Sequence, residues 1–369
     1  MSKSKKVIID LLAKAGIKVN GNEDWDIQVH NDKFYSSVIS GGSLALGESY
    51  MKKWWDSKRL DLFFNKLLRA KIYDKMNLPL ILHGFKAKFL NMQSRFRSRK
   101  VIDKHYDLSN ELYESFLDPY NQYTCGYFDG TDDLNEAQVK KLELICKKLQ
   151  LKKSDRVLDI GCGWGGFAKY AAEHYGCHVT GISISDEQIK YAKEYTKGLP
   201  VEIKKMDYRD LEGKFDKITV VGMIEHVGYK NYRKIMKVIN KCLAEDGLFL
   251  LHTIGDNVSS TKCNPWMDKY IFPNGMLPSI KQIGKAYEKL LIMEDWHNFG
   301  PYYYNTLMAW DKNFRKNWTK FKKVYSEKFY RMWRYYLLSC AGAAKARHFQ
   351  LWQIVFSKGK SDKVYQCVR

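Results

Sequence analysis

Apolar positions recur in two rhythms along the chain, and the change falls near residue 101. Before it the spacing is helical. Val7–Ala15 reads as a short amphipathic helix stopped by Gly16, and Leu60, Phe63, Phe64, Leu67 and Leu68 recur at helical intervals. Between them, Gly41-Gly42-Ser43 predicts a turn ahead of Leu46–Trp55. After residue 101, short apolar runs alternate with helical patterns. Arg156–Ile160, His178–Ile182, Val201–Lys204, Lys217–Val221 and Leu248–Thr253 read as strands, and Phe167–His174 and Tyr229–Leu243 as helices. Ser185 with Gln188 three residues later predicts a capping box. Such alternation predicts an α/β fold, a mostly parallel sheet with helices on both faces.

A chain of 369 residues is expected to divide, because single cores stop growing near ~250–300 residues. The pattern gives a small N-terminal domain at 1–75, expected to contact lipid or membrane, a basic linker at 76–100 and a catalytic domain at 101–369. Arg95, Arg97, Arg99, Lys100 and Lys104 crowd into the linker region. On the helix from Leu60, Arg59, Lys66 and Arg69 form a basic face, which suits either a membrane surface or simple packing.

Hydrophobic residues make up 45% and charged residues 28%, which excludes a disordered chain. The 62 basic and 41 acidic residues leave +21, a balance that favours polyanionic partners, nucleic acid or anionic lipid. No run approaches the ~20 apolar residues of a spanning helix, and Val7-Ile8-Ile9 is too short for a secretory signal core. Eight cysteines without a C-x-x-C pair fit free thiols in a reducing cytoplasm.

The most informative segment is Val157-Leu158-Asp159-Ile160-Gly161-Cys162-Gly163-Trp164-Gly165-Gly166: a strand, a glycine turn and the start of a helix. Glycine serves where backbone turns sharply and approaches a ligand without a Cβ in the way. The spacing also satisfies G-x-G-x-x-G, but a dinucleotide site wants an acid about 20 residues on. Here Gly181-Ile182-Ser183-Ile184-Ser185 stands there, with no acid before Asp186. Asp159, directly ahead of the glycines, instead suits the amino group of S-adenosylmethionine.

The motif series resembles the bacterial cyclopropane fatty acid synthases. It comprises Asp159–Gly166, Asp207-Tyr208-Arg209-Asp210, Gly222-Met223-Ile224-Glu225-His226-Val227-Gly228, Leu251-His252-Thr253-Ile254-Gly255 and Glu294–Gly300. His105-Tyr106-Asp107 and Gln122–Tyr127 stand ahead of these, and Gln350-Leu351-Trp352-Gln353 follows. The resemblance implies a Rossmann-like S-adenosylmethionine-dependent methyltransferase fold and a cyclopropane ring formed on unsaturated acyl chains of membrane phospholipid. The alkene attacks the cofactor methyl, a carbocation forms, a base takes a proton from the new methyl, and the ring closes. The implied base is bicarbonate, held by Cys125, Glu225, His252, the backbone of Ile254, and Tyr303. Cofactor contacts carry over to Tyr123, Thr124, Asp159, Gly161, Gly163, Ser183, Gln188 and Tyr208, with Tyr208 where relatives often have Trp. The implied setting is the cytoplasm, peripheral to the inner face of the membrane, as a homodimer without nucleic acid. A related lipid methyltransferase that leaves a branch without a ring shares these motifs.

Taken on their own terms, these residues keep other readings. Glu225 suits a cap for the helix near Tyr229, His252 a satisfied core histidine, and Cys125 a buried small hydrophobe. No metal pair is expected. The aromatic stretch Trp296–Tyr336, with Trp310, Phe314, Trp318, Phe321, Phe329 and Trp333, suits ordinary core or an acyl channel. Titration calorimetry with S-adenosylmethionine tests the cofactor reading: saturable heat is expected, and a folded chain giving none contradicts it.

Overall fold

A computed structural model describes residues 2–72 and 108–369. The linker expected at 76–100, its basic cluster and His105-Tyr106-Asp107 lie outside the described residues. In chain order the first elements are helix α1 (Lys3–Ala13), strand β1 (Gln28–Val29), α2 (Lys33–Met51), β2 (Trp55–Asp56) and α3 (Leu60–Arg69). Helices α4 (Asn110–Glu114) and α5 (Leu134–Leu149) follow, then β3 (Arg156–Ile160), α6 (Gly166–Tyr175), β4 (His178–Ser183), α7 (Asp186–Tyr195), β5 (Val201–Lys205) and β6 (Phe215–Val221). The chain continues through α8 (Tyr232–Cys242), β7 (Leu243–Asp256), α9 (Pro265–Tyr270), α10 (Ile280–Tyr287), β8 (Ile292–Asn298), α11 (Tyr302–Phe321), α12 (Glu327–Lys345) and β9 (Phe349–Ser357).

These elements form two compact units, and the division is not a single cut along the sequence. Thr261–Pro273 and Tyr303–Phe349 cluster with the described residues of Met1–Asn91, whereas the second unit takes the rest, including Asn274–Tyr302 and Gln350–Arg369. A sequence pattern read locally cannot show this, because which segments share a core is a long-range property.

In the first unit, α2 bends at Gly42, whose φ of +54° interrupts the helix where the glycine run predicts a turn. Helix α3 buries Leu60, Phe63, Phe64 and Leu67 against α12. At that crossing a Cβ on Gly342 would sit 2.5 Å from the Asp61 carbonyl, so only glycine permits the approach. The basic face of α3 is engaged as well. Arg59 pairs with the buried Asp61 at 2.7 Å, Lys66 lies over the Trp25 ring at 4.3 Å, and Arg69 donates to Asn65 at 2.9 Å. The apolar side of this helix is packed into the first unit. The aromatic stretch likewise forms core here: Trp310, Phe314 and Trp333 are buried between α11 and α12.

The second unit holds a seven-stranded sheet in the order β5-β4-β3-β6-β7-β9-β8. β3 pairs in parallel with β4 and β6, as do β4 with β5 and β6 with β7, while β8 and β9 are antiparallel. Every strand read from the sequence is present; β8 and β9 add to them. One face carries Ile160, Ile218, Phe249 and Leu251 against α8 and α10; the other carries Val157, Val179 and Leu250 against α5 and α6. Ser185 caps α7 by accepting from the Gln188 amide at 3.4 Å, but the Gln188 side chain turns instead to the Ser183 hydroxyl at 3.4 Å. The reciprocal capping box lies at Ser279 and Gln282, at the start of α10. No helix among the described residues is long and apolar enough to cross a membrane.

The buried Asp311 carboxylate accepts from both Arg334 and Arg315 at 2.8 Å. Arg334→Met leaves it with the half-exposed Arg315 alone, and a loss of about 2–3 kcal/mol is expected in urea denaturation. An unchanged midpoint and slope contradict this.

Candidate active site

Ligands in open α/β sheets sit beyond the carboxyl ends of the strands, and four segments of the second unit meet there. The turn after β3 takes left-handed φ at Gly161 (+84°) and Gly163 (+54°). A Cβ on Gly161 would lie 2.7 Å from Met223, and one on Gly222 would lie 2.6 Å from the Thr124 methyl. The glycines thus let the 122–126 loop, the glycine turn and the 222–226 loop touch. β7 joins them through Gly222, whose amide donates to the His252 carbonyl at 2.9 Å.

Glu225 lies in a 3₁₀ turn, Ile224–His226, and is 6% exposed. Its Oε1 accepts from the Ile254 amide at 2.8 Å, so it does not cap the helix near Tyr229. The Ile254 N–H, expected to point at a bound anion, is directed at this carboxylate instead. The Thr253 hydroxyl lies 2.9 Å from the Ile254 carbonyl and also favours the charged form of Glu225. Glu225 Oε2 has no hydrogen-bond partner among the described residues. Burial pushes the Glu225 carboxyl up to about 7, against the downward pull of its own amide, the Ile254 amide and the Thr253 hydroxyl.

His252 is fully buried on β7. The Gln353 amide meets its Nδ1 at 3.4 Å; with Gln353 as donor, the ring proton sits on Nε2. Nε2 likewise lacks a partner among the described residues. Burial, then the charges of Lys141 and Lys148, hold this ring well below the ordinary histidine range, so it is neutral.

Cys125 is fully buried and its Sγ donates to the Gly126 carbonyl at 3.3 Å. Cys125, Glu225, His252 and Ile254 thus share one unit. Tyr303 belongs to the other unit, buried near Trp310 and Phe349.

The cofactor residues are placed as follows. Asp159 ends β3 almost wholly buried, and burial raises its carboxyl to about 7 against the pull of Lys141. Gly163 faces open space, with nothing within 4 Å of an added Cβ; this fits a cradle for the amino acid tail of S-adenosylmethionine. Ser183 and Gln188 bond each other at the end of β4. Tyr123 packs edge-on against Tyr113 at 5.3 Å. Tyr208 is buried, and the Arg209 guanidinium already covers one ring face at 4.9 Å, which narrows the expected stacking on adenine.

Two residues missed in the sequence hold this site. The buried Lys141 ammonium donates to Gln122 Oε1 and, at 3.0 Å, to the Thr124 hydroxyl. One turn earlier, Gln138 donates to the Thr124 carbonyl at 2.8 Å. Burial lowers the Lys141 amine to about 7, opposed by the attraction of Asp118, Cys125 and Asp159. The signal was available: Gln138 and Lys141 interrupt the apolar face set by Leu134, Leu142 and Ile145 on α5.

The sheet, its order and the glycine turn define an S-adenosylmethionine-dependent methyltransferase. The cyclopropane synthase MmaA2 from Mycobacterium tuberculosis superposes with a TM-score of 0.66 at 25% identity, over 73% of this chain and all of that one. The mycolic acid cyclopropane synthase CmaA1, complexed with SAH and CTAB, does so with 0.66 at 27% identity, over 70% and 98%. The mycolic acid cyclopropane synthetase family pattern matches residues 93–354. Cyclopropane-fatty-acyl-phospholipid synthase of Escherichia coli strain K12 is 50% identical over 361 residues, 96% of this chain and 93% of that one. A probable fatty acid methyltransferase of Pseudomonas putida is 37% identical over 276 residues, 71% and 70% of the two chains. This chain belongs to the cyclopropane synthase family.

The native Glu225 carboxyl keeps its proton where the unfolded chain has lost it, so its contribution to stability falls as pH rises from about 4.5 to about 7. Relative to Glu225→Gln, wild type should lose roughly 3 kcal/mol across that window. Parallel pH dependences in denaturation contradict the shift.

Proposed function

We propose that this chain transfers a methylene group from S-adenosylmethionine to the cis double bond of unsaturated acyl chains in membrane phospholipids, closing a cyclopropane ring. One observation carries the reading: Glu225 Oε2, on the loop after β6, and His252 Nε2, on β7, are buried polar atoms without a hydrogen-bond partner among the described residues. Leaving such groups unpaired costs about 1–3 kcal/mol each, a cost that a ligand relieves. The 50% identity to the Escherichia coli phospholipid synthase supports the substrate class.

When bound, S-adenosylmethionine supplies an electrophilic methyl group on a sulfonium, and bicarbonate supplies a small base. Asp159, Gly161 and Gly163 would hold the first, with Tyr123, Thr124, Ser183, Gln188 and Tyr208 around the nucleoside. Glu225, His252 and Cys125 would hold the second, with Ile254 fixing Glu225. In this role neutral His252 donates from Nε2, and Glu225, poised to titrate near pH 7, gives or accepts a proton without a fixed second charge. The same reading places the chain at the inner face of the cell membrane as a homodimer.

Glu225→Gln and His252→Ala should each lower turnover by at least about 100-fold while S-adenosylmethionine affinity stays within a few-fold. Turnover is measured with unsaturated phospholipid vesicles and labelled cofactor, affinity by calorimetry. Near-full activity in either variant ends the anion-site reading. Product analysis separates ring from branch: rings survive mild hydrogenation as lipid 14 mass units heavier, and a purely branched or alkene product assigns the chain to the related methyltransferases.

A further inference from the structure

The hairpin of α11 and α12 in the first unit ends in a tip that neither its core nor the site uses. Trp318 meets Phe329 at 6.3 Å and Phe314 meets Trp333 at 6.4 Å, so the helices run back along each other. The stacked rings Trp333, Phe329 and Tyr325, at 5.7 and 4.5 Å, carry an apolar ladder to the turn. At its apex Val324 is 76% exposed. Around it Lys316, Lys320, Lys322, Lys323 and Lys328 are all exposed, and none has an ion-pair partner among the described residues. The nearby acid Glu327 pairs with Lys53 at 3.7 Å.

We propose that this tip is the surface by which the chain docks on an anionic phospholipid bilayer. A bilayer interface favours a ring of lysines around an apolar and aromatic centre: the cations meet the headgroup charge and the apolar apex enters the acyl boundary. Each half of that pattern is weak alone. Together they discriminate, because a polyphosphate chain has no use for an exposed valine at the centre of the charge. Two other basic faces fail the comparison. The apolar face of α3 is buried and its cations are engaged. Helix α8 exposes Lys234, Lys237 and Lys241, but its Ile235, Met236 and Ile239 lie in the core of the second unit.

The proposal rests on the lipid reading above, and the test separates the two. The full chain is sedimented with vesicles of zwitterionic phosphatidylcholine alone and with vesicles containing phosphatidylglycerol, at low and high salt. Wild type should bind the anionic vesicles and release as salt rises. The triple variant K320E/K322E/K323E should bind on the order of a hundredfold more weakly, and Val324→Asp roughly tenfold. A control triple, K234E/K237E/K241E, makes the same change in net charge and should lose far less. Thermal unfolding and turnover on detergent-dispersed unsaturated phospholipid confirm that each variant is folded. If wild type makes product there and the tip variants bind vesicles as it does, the docking surface is wrong and the lipid reading stands. Equal losses in the two triples also overturn it, because net charge alone then drives binding. So does a tip triple that loses only affinity for single-stranded RNA. If wild type makes no product on any lipid, the lipid reading itself fails, whatever the vesicles show.

Discussion

The second unit is organised around a buried carboxyl group. Glu225 lies just beyond the end of β6, and the Ile254 amide of β7 holds one of its oxygens at 2.8 Å. An ionised carboxylate in such surroundings is costly, and the group answers by titrating near pH 7. On β7, His252 is kept neutral by burial and by the charges of Lys141 and Lys148. Each residue keeps one buried polar atom without a hydrogen-bond partner among the described residues, Oε2 on Glu225 and Nε2 on His252.

The surrounding structure keeps these groups in place. Val221 pairs with His252 in the parallel register of β6 and β7, which fixes the two loops relative to each other. Lys141 and Gln138 pin the 122–126 loop from α5, and Gly161 and Gly222 let the loops pack without a side chain between them. At the start of α6 a Cβ on Gly166 would fall 1.8 Å from the Tyr120 carbonyl, so that glycine serves close packing of the same loop. The glycine turn thus has two duties: Gly163 leaves room for a ligand, and its neighbours leave room for protein.

Much of this was legible from local pattern. The strands from Arg156 to Thr253 announce themselves as apolar runs between helical stretches, and Asp159 ahead of three glycines marks the cofactor turn. Other features depend on contacts that spacing does not encode. The sequence gives no sign that Tyr303–Phe349 shares a core with the N-terminal helices. Nor does it show that the Ile254 amide bonds Glu225. At Ser185 the capping-box spacing is present, yet Gln188 turns to Ser183, because a side chain near a strand end has competing partners. Lys141 is hidden for a different reason: most helix lysines are solvated, and only its place on the apolar face of α5 marks it as buried.

The central claim is that Glu225 and His252 present their open atoms to one small anion beside the cofactor. A crystal structure grown with S-adenosylhomocysteine and bicarbonate tests it most directly. A planar anion within hydrogen-bond distance of both Glu225 Oε2 and His252 Nε2 is expected. Finding both atoms satisfied by protein groups, with the anion absent or bound elsewhere, contradicts it.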